Sequence, residues 1–316
     1  MAFQTTIVGL GLLGSSIGLA LRGTAASIEI VGHDKDSGAA KRAYKDGCVD
    51  RTEWNLINAC DGADLVVIST ALAEIKSTLA AIGLHLKEGC VVTDTASLKV
   101  PVLGWARQSL PATVHFVGGH PIIDKPVPDR LTPAADLLTG AVYCLIPDTD
   151  TPPEALQAAS DLAEAVGART YYLDAAEHDG LIAAVGQVPL LLALALQAMA
   201  AANPSRREMI YLSGVDFASV TQLLTRDAET LTEMCRLNAP NVTRWLDTVL
   251  SHLSYLRELL TKQDVEALQR AFAAAVEARE NWLPEPVEGE VVDYSDFGTL
   301  RTMFGGSFRP HRRPNE

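Results

Sequence analysis

The sequence predicts an α/β fold in which a doubly wound sheet occupies the first half of the chain and an all-α domain follows. Short β-branched runs alternate with helix-like stretches up to residue 174, which is typical of a parallel sheet with helices on both faces. Beyond that residue the strand signal ends and helical stretches follow one another. A chain of 316 residues is long enough for two domains that each bury a core.

The predicted elements divide the chain into two domains and a tail. For the first domain, residues 1–174, we predict strands at 5–9, 28–32, 65–70, 91–94, 114–117, 141–146 and 168–173, and helices at 12–23, 37–45, 72–86 and 154–166. For the second domain, residues 175–290, we predict helices at 175–202, 205–212, 216–237, 241–260 and 264–282, with residues 291–316 as the tail. Pro204 and Pro240 mark helix breaks, and Asp264 is expected to cap the last helix.

Charge and cysteine usage exclude several classes of protein. The 39 acidic residues outnumber the 26 basic ones, which gives a net charge of −13. Such a surface repels phosphate backbones, and no basic stripe compensates, so nucleic-acid binding is not expected. The five cysteines are scattered and form no Cys-x-x-Cys pair or Cys/His cluster, so we expect neither disulfides nor a metal site. Reduced thiols indicate a cytoplasmic protein.

The stretch from residue 181 to residue 202 is almost uncharged and is long enough to cross a membrane. It contains Gln187, Pro189 and Gln197, and the N-terminus lacks the basic residues of a secretory signal, so we predict a buried central helix and no membrane contact. A helix that is apolar on nearly all sides needs partners all round, from its own domain or from another subunit. We therefore expect a homodimer that forms through the helical domains.

The N-terminal Gly9-Leu-Gly11-Leu-Leu-Gly14 matches the dinucleotide-binding pattern Gly-x-Gly-x-x-Gly. The pattern alone is weak, but here a β-branched strand precedes it and an apolar helix follows. Gly9 would permit the tight turn, Gly11 would let the backbone approach a pyrophosphate, and Gly14 would allow close packing of helix on strand. The first domain is therefore predicted to be of the Rossmann type.

Asp34 follows Gly14 by 20 residues, at the end of the next predicted strand. A carboxylate at this position accepts hydrogen bonds from the ribose hydroxyls and repels a 2′-phosphate, so we predict NAD rather than NADP, although Lys35 follows directly. The alternative for Asp34 is a solvated residue at a strand end. Leu12, Leu13 and Thr70 complete the predicted cofactor contacts.

Two strand ends carry candidates for the chemistry. His120, in Gly118-Gly119-His120-Pro121, directly follows a predicted strand, where ligands of open α/β sheets bind. Histidine is the usual proton acceptor in alcohol oxidation near neutral pH, although His120 could instead stabilise its loop. Ser97 follows another strand and could bond a substrate hydroxyl or His120, or merely cap the next helix. His178 begins the second domain, where it faces a cleft or belongs to an acidic helix terminus.

Four motifs in this order, GLGLLG, TDTASLK, GGHP and HDGLIAAVGQVP, make the chain resemble the prephenate/arogenate dehydrogenase family over residues 5–260. The resemblance implies oxidative decarboxylation of prephenate or arogenate with NAD(P)+ in tyrosine biosynthesis, and a Rossmann-type domain joined to a helical dimerisation domain. It also implies that His120 accepts the proton of the substrate's ring hydroxyl. Ser97 matches the serine that hydrogen-bonds that hydroxyl and the histidine.

The chain departs from the family pattern at positions that bind substrate. The family's Ser-His pair is Gly186-Gln187 here, and two family arginines are Ala218 and Gln222. Neither alanine nor glutamine can clamp a carboxylate as arginine does. We predict that the substrate contacts Ser97, His120, His178, Gln187 and Gln222. Either another arginine binds the substrate carboxylate from a different direction, or the substrate differs. The candidate arginines are Arg206, Arg207 and Arg226.

Three functions are compatible with these residues. The first is the NAD-dependent oxidation of prephenate or arogenate. The second is a related dehydrogenase for another cyclic or hydroxy-acid substrate, which the departures at Gln187, Ala218 and Gln222 favour. The third is a catalytically idle NAD(H)-binding sensor, against which the presence of both Ser97 and His120 argues.

Overall fold

The computed structural model describes residues 3–24, 27–123, 132–225 and 227–282. Two compact units divide between His178 and Asp179. The predicted division at residue 174 lies four residues before the observed one. The helix Ala175–Ile182 begins at the predicted division and crosses the observed one. The predicted tail, residues 291–316, and Arg226 lie outside the described residues.

The first unit is built on one eight-stranded sheet. Its strands are β1 (Phe3–Val8), β2 (Ile28–His33), β3 (Arg51–Thr52), β4 (Leu65–Ile68), β5 (Val91–Asp94), β6 (His115–Ile122), β7 (Val142–Ile146) and β8 (Arg169–Tyr172). Their spatial order is β3-β2-β1-β4-β5-β6-β7-β8, so the chain reverses its direction of winding between β1 and β4. This order confirms the predicted doubly wound sheet, and sheets of this kind generally bind ligands at the reversal.

Of the α-helices that the structure describes, six lie between strands of this sheet in the chain, and a seventh follows the last strand and crosses into the second unit. They are α1 (Leu12–Arg22), α2 (Ser37–Lys45), α3 (Leu56–Cys60), α4 (Leu72–Ile82), α5 (Val100–Ser109), α6 (Pro153–Ala165) and α7 (Ala175–Ile182). β4 lies in the middle of the sheet and is buried along its whole length, which explains its continuous apolar sequence Leu-Val-Val-Ile. β3 and α3 were not predicted, because two and five residues are too short to show a period.

The sheet is parallel as predicted except at one pair of strands, β6 and β7, which the sequence did not indicate as antiparallel. β6 pairs parallel with β5 as far as Val117 and then runs antiparallel to β7 from Gly118 to Ile122. The strand predicted at 114–117 was too short, because the sequence Gly-Gly-His-Pro resembles a loop. The backbone of β7 supplies the hydrogen bonds that keep these residues extended. His120 therefore lies on the part of β6 that pairs with β7 and no longer with β5.

The second unit is helical, as predicted. After a π-helical turn (Ala183–Gln187) it continues with α8 (Val188–Ala202), α9 (Arg206–Leu212), α10 (Val215–Thr221), α11 (Ala228–Leu237), α12 (Ala239–Lys262) and α13 (Val265–Asn281). The single helix predicted at 216–237 is wrong, because a 3₁₀ turn intervenes and Asp227 caps a new helix by accepting from the Thr230 amide. Asp264 caps α13 as predicted, with its carboxylate accepting from the Ala267 amide.

The apolar stretch from residue 181 to residue 202 is not buried by its own domain. Val188, Leu190 and Ala193 of α8 are buried, but Leu194 is 52% exposed and Met199 is 55% exposed. Among the described helices, the continuous stretch Ala175–Ala202 is the one whose length and composition would suffice to cross a membrane. The prediction of a buried central helix therefore does not hold within a single chain, because residues 194–199 in the second half of the helix are all exposed.

Candidate active site

The glycine loop lies where β1 ends and α1 begins. Gly9 has a left-handed φ of +96°, and a Cβ there would lie 2.4 Å from the Ser69 carbonyl oxygen. A Cβ on Gly14 would lie 2.0 Å from the Gly9 carbonyl oxygen, so this glycine lets α1 pack on the loop. Gly11 precedes α1 and has no atom within 4 Å of a Cβ. The N-terminus of α1 is thus open to a phosphate that the backbone amides can bind.

Asp34 holds this loop while keeping capacity for a ligand. One carboxylate oxygen accepts from the Leu10 amide at 2.7 Å, and the other accepts from the Asp36 amide at 2.8 Å. Each oxygen has a second lone pair, so Asp34 can still accept a ribose hydroxyl. Lys35, the residue that would favour a 2′-phosphate, forms an ion pair with Glu74.

The remaining predicted cofactor residues lie beside the same loop. Leu12 and Leu13 are half-buried in the first turn of α1. Thr70 lies just after β4, at the reversal of strand order, and its buried hydroxyl has no hydrogen-bond partner within the described residues. An orphaned hydroxyl at this point suits a bound ligand. The residues present therefore fit a dinucleotide.

A histidine pair lies at the carboxyl end of the sheet. The Nδ1 atom of His120 is 2.9 Å from Nε2 of His178, and the two rings meet edge to face with centroids 5.1 Å apart. His178 is 1% exposed, whereas His120 is half-buried. The structure thus brings together two candidates that are 58 residues apart in the sequence.

The Asp94 carboxylate accepts hydrogen bonds from the backbone amides of the residues directly before Ser97 and His120. Asp94 accepts from the Ala96 amide at 2.9 Å and from the Gly119 amide at 3.1 Å. Ser97 does not cap the helix that follows, since α5 begins without a side-chain cap. The alternative role that the sequence allowed for Ser97 is therefore wrong.

Asp94 and Lys99 are two residues near the site whose role the sequence did not indicate. Both side chains are completely buried, and the Lys99 ammonium donates to the Asp94 carboxylate and to the Gly119 carbonyl oxygen, the latter at 2.6 Å. A lysine at full burial is rare unless it is paired. Both residues belong to the TDTASLK motif, but nothing in the sequence indicated that they contact Gly119.

Cys144 pairs with His120 across the β6–β7 ladder and is the thiol nearest to it in register. Burial raises the pKa of the Cys144 thiol to about 11, with a smaller opposing contribution from Lys99. The thiol is therefore protonated near neutral pH and cannot serve as base or nucleophile. The five cysteines are all free, as expected from their scatter.

In the second unit, Gln187 and Gln222 have different surroundings. Gln187 is completely buried, and its amide donates to the Met234 carbonyl oxygen and accepts from Asn238, both at 2.7 Å. Asn238 also donates to the Asp179 carbonyl oxygen, so this network joins three helices. Gln222 is exposed, in the 3₁₀ turn after α10. The structure therefore shows Gln187 as a packing residue and leaves Gln222 accessible.

Arg244 is a cation that sequence analysis did not single out. It lies on α12, over the ring of Trp245, and its Nη2 atom is 3.6 Å from the Cβ position of Gly180. Within the described part of the chain its guanidinium forms no ion pair. Arg206 and Arg207 are exposed on α9.

The open glycine loop and the histidine pair at the strand ends define a dehydrogenase of the dinucleotide-binding class. The chain matches the family model "prephenate dehydrogenase, nucleotide-binding domain" over residues 17–172 and "prephenate dehydrogenase, dimerization domain" over residues 174–274. The chain belongs to the prephenate dehydrogenase family.

Individual relatives agree with this assignment. The chain is 30% identical over 261 residues to a probable prephenate dehydrogenase of Streptomyces niveus, covering 80% of this chain and 68% of the relative. It is 26% identical over 275 residues to cyclohexadienyl dehydrogenase of Zymomonas mobilis, covering 86% and 94%. Arogenate dehydrogenase of Synechocystis superposes with a TM-score of 0.75 at 25% identity, covering 89% of this chain and 100% of that one. Prephenate dehydrogenase of Aquifex aeolicus, at 22% identity and a TM-score of 0.78, covers 89% and 98% and shares the fold.

Proposed function

We propose that this chain oxidises prephenate or arogenate with NAD+, removes the ring carboxylate as CO2 and so serves tyrosine biosynthesis. The observation that carries the proposal is His120, half-buried and bonded to His178 at the sheet edge where a dinucleotide ligand is expected. The family assignment and the names of its relatives, which act on these cyclohexadienyl compounds, support the substrate class.

The His120–His178 contact involves Nδ1 of His120, and we propose that the other ring nitrogen, Nε2, acts as the base. If His120 Nδ1 donates its proton to His178 Nε2, Nε2 of His120 is left unprotonated and can accept a proton. We assign this nitrogen to the ring hydroxyl of the substrate, and Ser97 to a hydrogen bond with the same hydroxyl. NAD+, when bound, supplies the acceptor for the hydride that leaves the hydroxyl-bearing carbon. Loss of CO2 then makes the ring aromatic, so the reaction is effectively irreversible.

A turnover assay tests the substrate class directly. Purified protein is mixed with NAD+ and either prephenate or arogenate, and NADH formation is followed by absorbance. We expect turnover with at least one of the two. Absence of turnover with both, in a sample that still binds NAD+, would refute the proposal and favour a related dehydrogenase for another cyclic or hydroxy-acid substrate. Ala218 and Gln222, at two arginine positions of the family, are the observation that keeps this second function open.

We further propose that Arg244 binds a substrate carboxylate, the role that Ala218 and Gln222 cannot perform. Replacing Arg244 by Gln is expected to raise KM by about tenfold or more while kcat changes little, because a charge-assisted hydrogen bond contributes about 1.5–3 kcal/mol. Arg257→Gln on the same helix, α12, is the control and should leave KM unchanged. Equal KM values for the two variants would remove Arg244 from the substrate site.

Asp34 is proposed to set the preference for NAD+ over NADP+. Its carboxylate should weaken NADP+ binding by about tenfold through repulsion of the 2′-phosphate, and Asp34→Ser should narrow that gap. Asp36→Ser is a matched control, because it removes the same charge two residues away and keeps a good capping residue for α2. Titrations of both cofactors give the answer. Equal affinities in the unmodified protein would contradict the role of Asp34.

We propose that the open apolar face of the second unit is covered by a second copy of the chain in a cytoplasmic homodimer. Exposed apolar side chains are spread over several helices, which suits a protein interface better than a single membrane span. They include Leu194, Met199, Tyr211, Leu253 and Phe272. The matching family model, whose description is a dimerization domain, supports this arrangement.

Sedimentation should show a dimer at micromolar concentration, with more than about 2,000 Å² buried, as in obligate interfaces. Leu194→Glu should dissociate it, because a charge would be desolvated at the interface. Leu84→Glu is the control, since Leu84 is 84% exposed in the first unit and should leave the dimer intact. A monomeric unmodified protein would contradict the proposal.

A further inference from the structure

We infer that the buried Asp94–Lys99 ion pair is a positioning device that sets the backbone on which both Ser97 and His120 depend. The inference rests on the proposed function, in which these two residues act on the substrate hydroxyl. Asp94 ends β5, and Lys99 lies five residues later, just before α5. Both side chains have 0% exposure.

The pair holds one peptide residue from both sides. Asp94 accepts from the Gly119 amide at 3.1 Å, and Lys99 donates to the Gly119 carbonyl oxygen at 2.6 Å. Gly119 directly precedes His120, so its two backbone groups determine where the His120 side chain begins. Asp94 and Lys99 also bond each other directly, so a shift of either side chain moves Gly119.

The same carboxylate fixes the loop that carries Ser97. Asp94 accepts from the Ala96 amide at 2.9 Å, one residue before Ser97. Gly119 lies 25 residues after Asp94 in the sequence, so this one carboxylate hydrogen-bonds both the loop that carries Ser97 and a distant segment. The backbone positions of Ser97 and His120 are therefore fixed relative to each other. Two residues that bond the same substrate hydroxyl need such a fixed relative position.

The two glycines before His120 make room for this arrangement. A Cβ on Gly118 would lie 3.2 Å from Cδ of Lys99, and a Cβ on Gly119 would lie 2.4 Å from the Asp94 carbonyl oxygen. Neither glycine has a positive φ, so conformational freedom is not what either position requires. The glycines of the GGHP motif and the lysine of TDTASLK therefore form one packing unit.

Stability alone does not account for such a pair. Removing two charges from water costs several kcal/mol per ion, and apolar pairs of similar volume are often as stable or more stable. What an apolar pair lacks is directed hydrogen bonding to the Gly119 and Ala96 backbone groups. This difference allows packing and positioning to be tested separately.

The test compares Lys99→Met with the double variant Asp94→Leu/Lys99→Met. The single variant leaves a buried carboxylate without its cation, and its melting temperature should fall by about 10 °C. The double variant should regain part of that loss, bind NAD+ within twofold of the unmodified protein, and still show kcat lowered by about 10²-fold. Lys87→Met is the control, because Lys87 pairs with Asp64 at the opposite end of the strands and should not affect kcat.

Nitrogen NMR of 15N-histidine-labelled protein supplies a readout that does not depend on turnover, with the His120 signals assigned from His120→Asn. The unmodified protein should show His120 in one tautomer, protonated at Nδ1, and the double variant should show mixed tautomers. If neither substrate is turned over by the unmodified protein, the proposed function fails, while the tautomer comparison still decides the positioning role.

A stable double variant with unchanged kcat, or with unchanged His120 tautomer, would overturn the inference. If the double variant does not fold, Gly118→Ala decides. Its new methyl group would lie 3.2 Å from Cδ of Lys99 and 3.3 Å from the Ile146 carbonyl oxygen, so we expect a melting temperature lower by a few degrees and a several-fold loss of kcat. Unchanged kcat in that variant would equally overturn it.

Discussion

Replacing His120 by Asn should lower kcat by about 10²–10⁴-fold, the usual contribution of a general base, and leave NAD+ affinity nearly unchanged. Asparagine keeps a hydrogen-bonding side chain of similar reach but cannot accept the hydroxyl proton. His120 belongs to β6, away from the glycine loop between β1 and α1, so cofactor binding should not depend on it. Because the base must be neutral, kcat should also fall as pH drops through the range where imidazole protonates, ordinarily about 6.5.

The control for this experiment is His115→Asn, which makes the same change at the first residue of the same strand. The two variants are compared in kcat, NAD+ affinity and melting temperature. If His120 only stabilised its loop, His120→Asn would lower the melting temperature and keep activity in the folded fraction. Turnover within threefold of the unmodified protein would place the base elsewhere, and His178 would be examined next.

Gly11→Val should reduce NAD+ affinity by more than about 10²-fold with only a small loss of stability. A side chain at this position meets no protein atom within 4 Å, and the φ of −70° suits any residue. The space it would occupy is the approach to the N-terminal amides of α1, where we expect the pyrophosphate to bind. The expected loss is therefore one of binding, measured by calorimetric titration, while the melting temperature changes by a few degrees.

Gly14→Ala is the matched comparison, because it adds a smaller group to the same loop. Its Cβ would lie 2.0 Å from the Gly9 carbonyl oxygen, so α1 must shift and the melting temperature should fall by about 10 °C or more. Tight NAD+ binding by Gly11→Val would mean that the dinucleotide does not lie over this helix terminus.

Features that depend on neighbouring residues could be predicted from the sequence. The glycine loop, the succession of β1 and α1, and the cap of α13 follow from spacing, φ requirements and side-chain reach within a few residues. His120 and Ser97 could be predicted as site residues because the family motifs that contain them occur in a fixed order along the chain. The break between α10 and α11 was missed, because helical periodicity continues across it and Asp227 acts as a cap only in the folded context.

Contacts between distant segments could not be predicted in this way. Local patterns were enough to predict a dinucleotide-binding sheet, a helical second domain and the residue types that the proposed chemistry needs. They did not indicate that β7 runs antiparallel to β6, that His120 contacts His178, or that Gln187 is buried. The physical reason is that strand order and helix packing depend on burial of apolar surface over the whole chain, which no local period encodes. Lys99 shows the difference: its charge is visible in the sequence, but its complete burial against Asp94 exists only once β5 and β6 lie side by side.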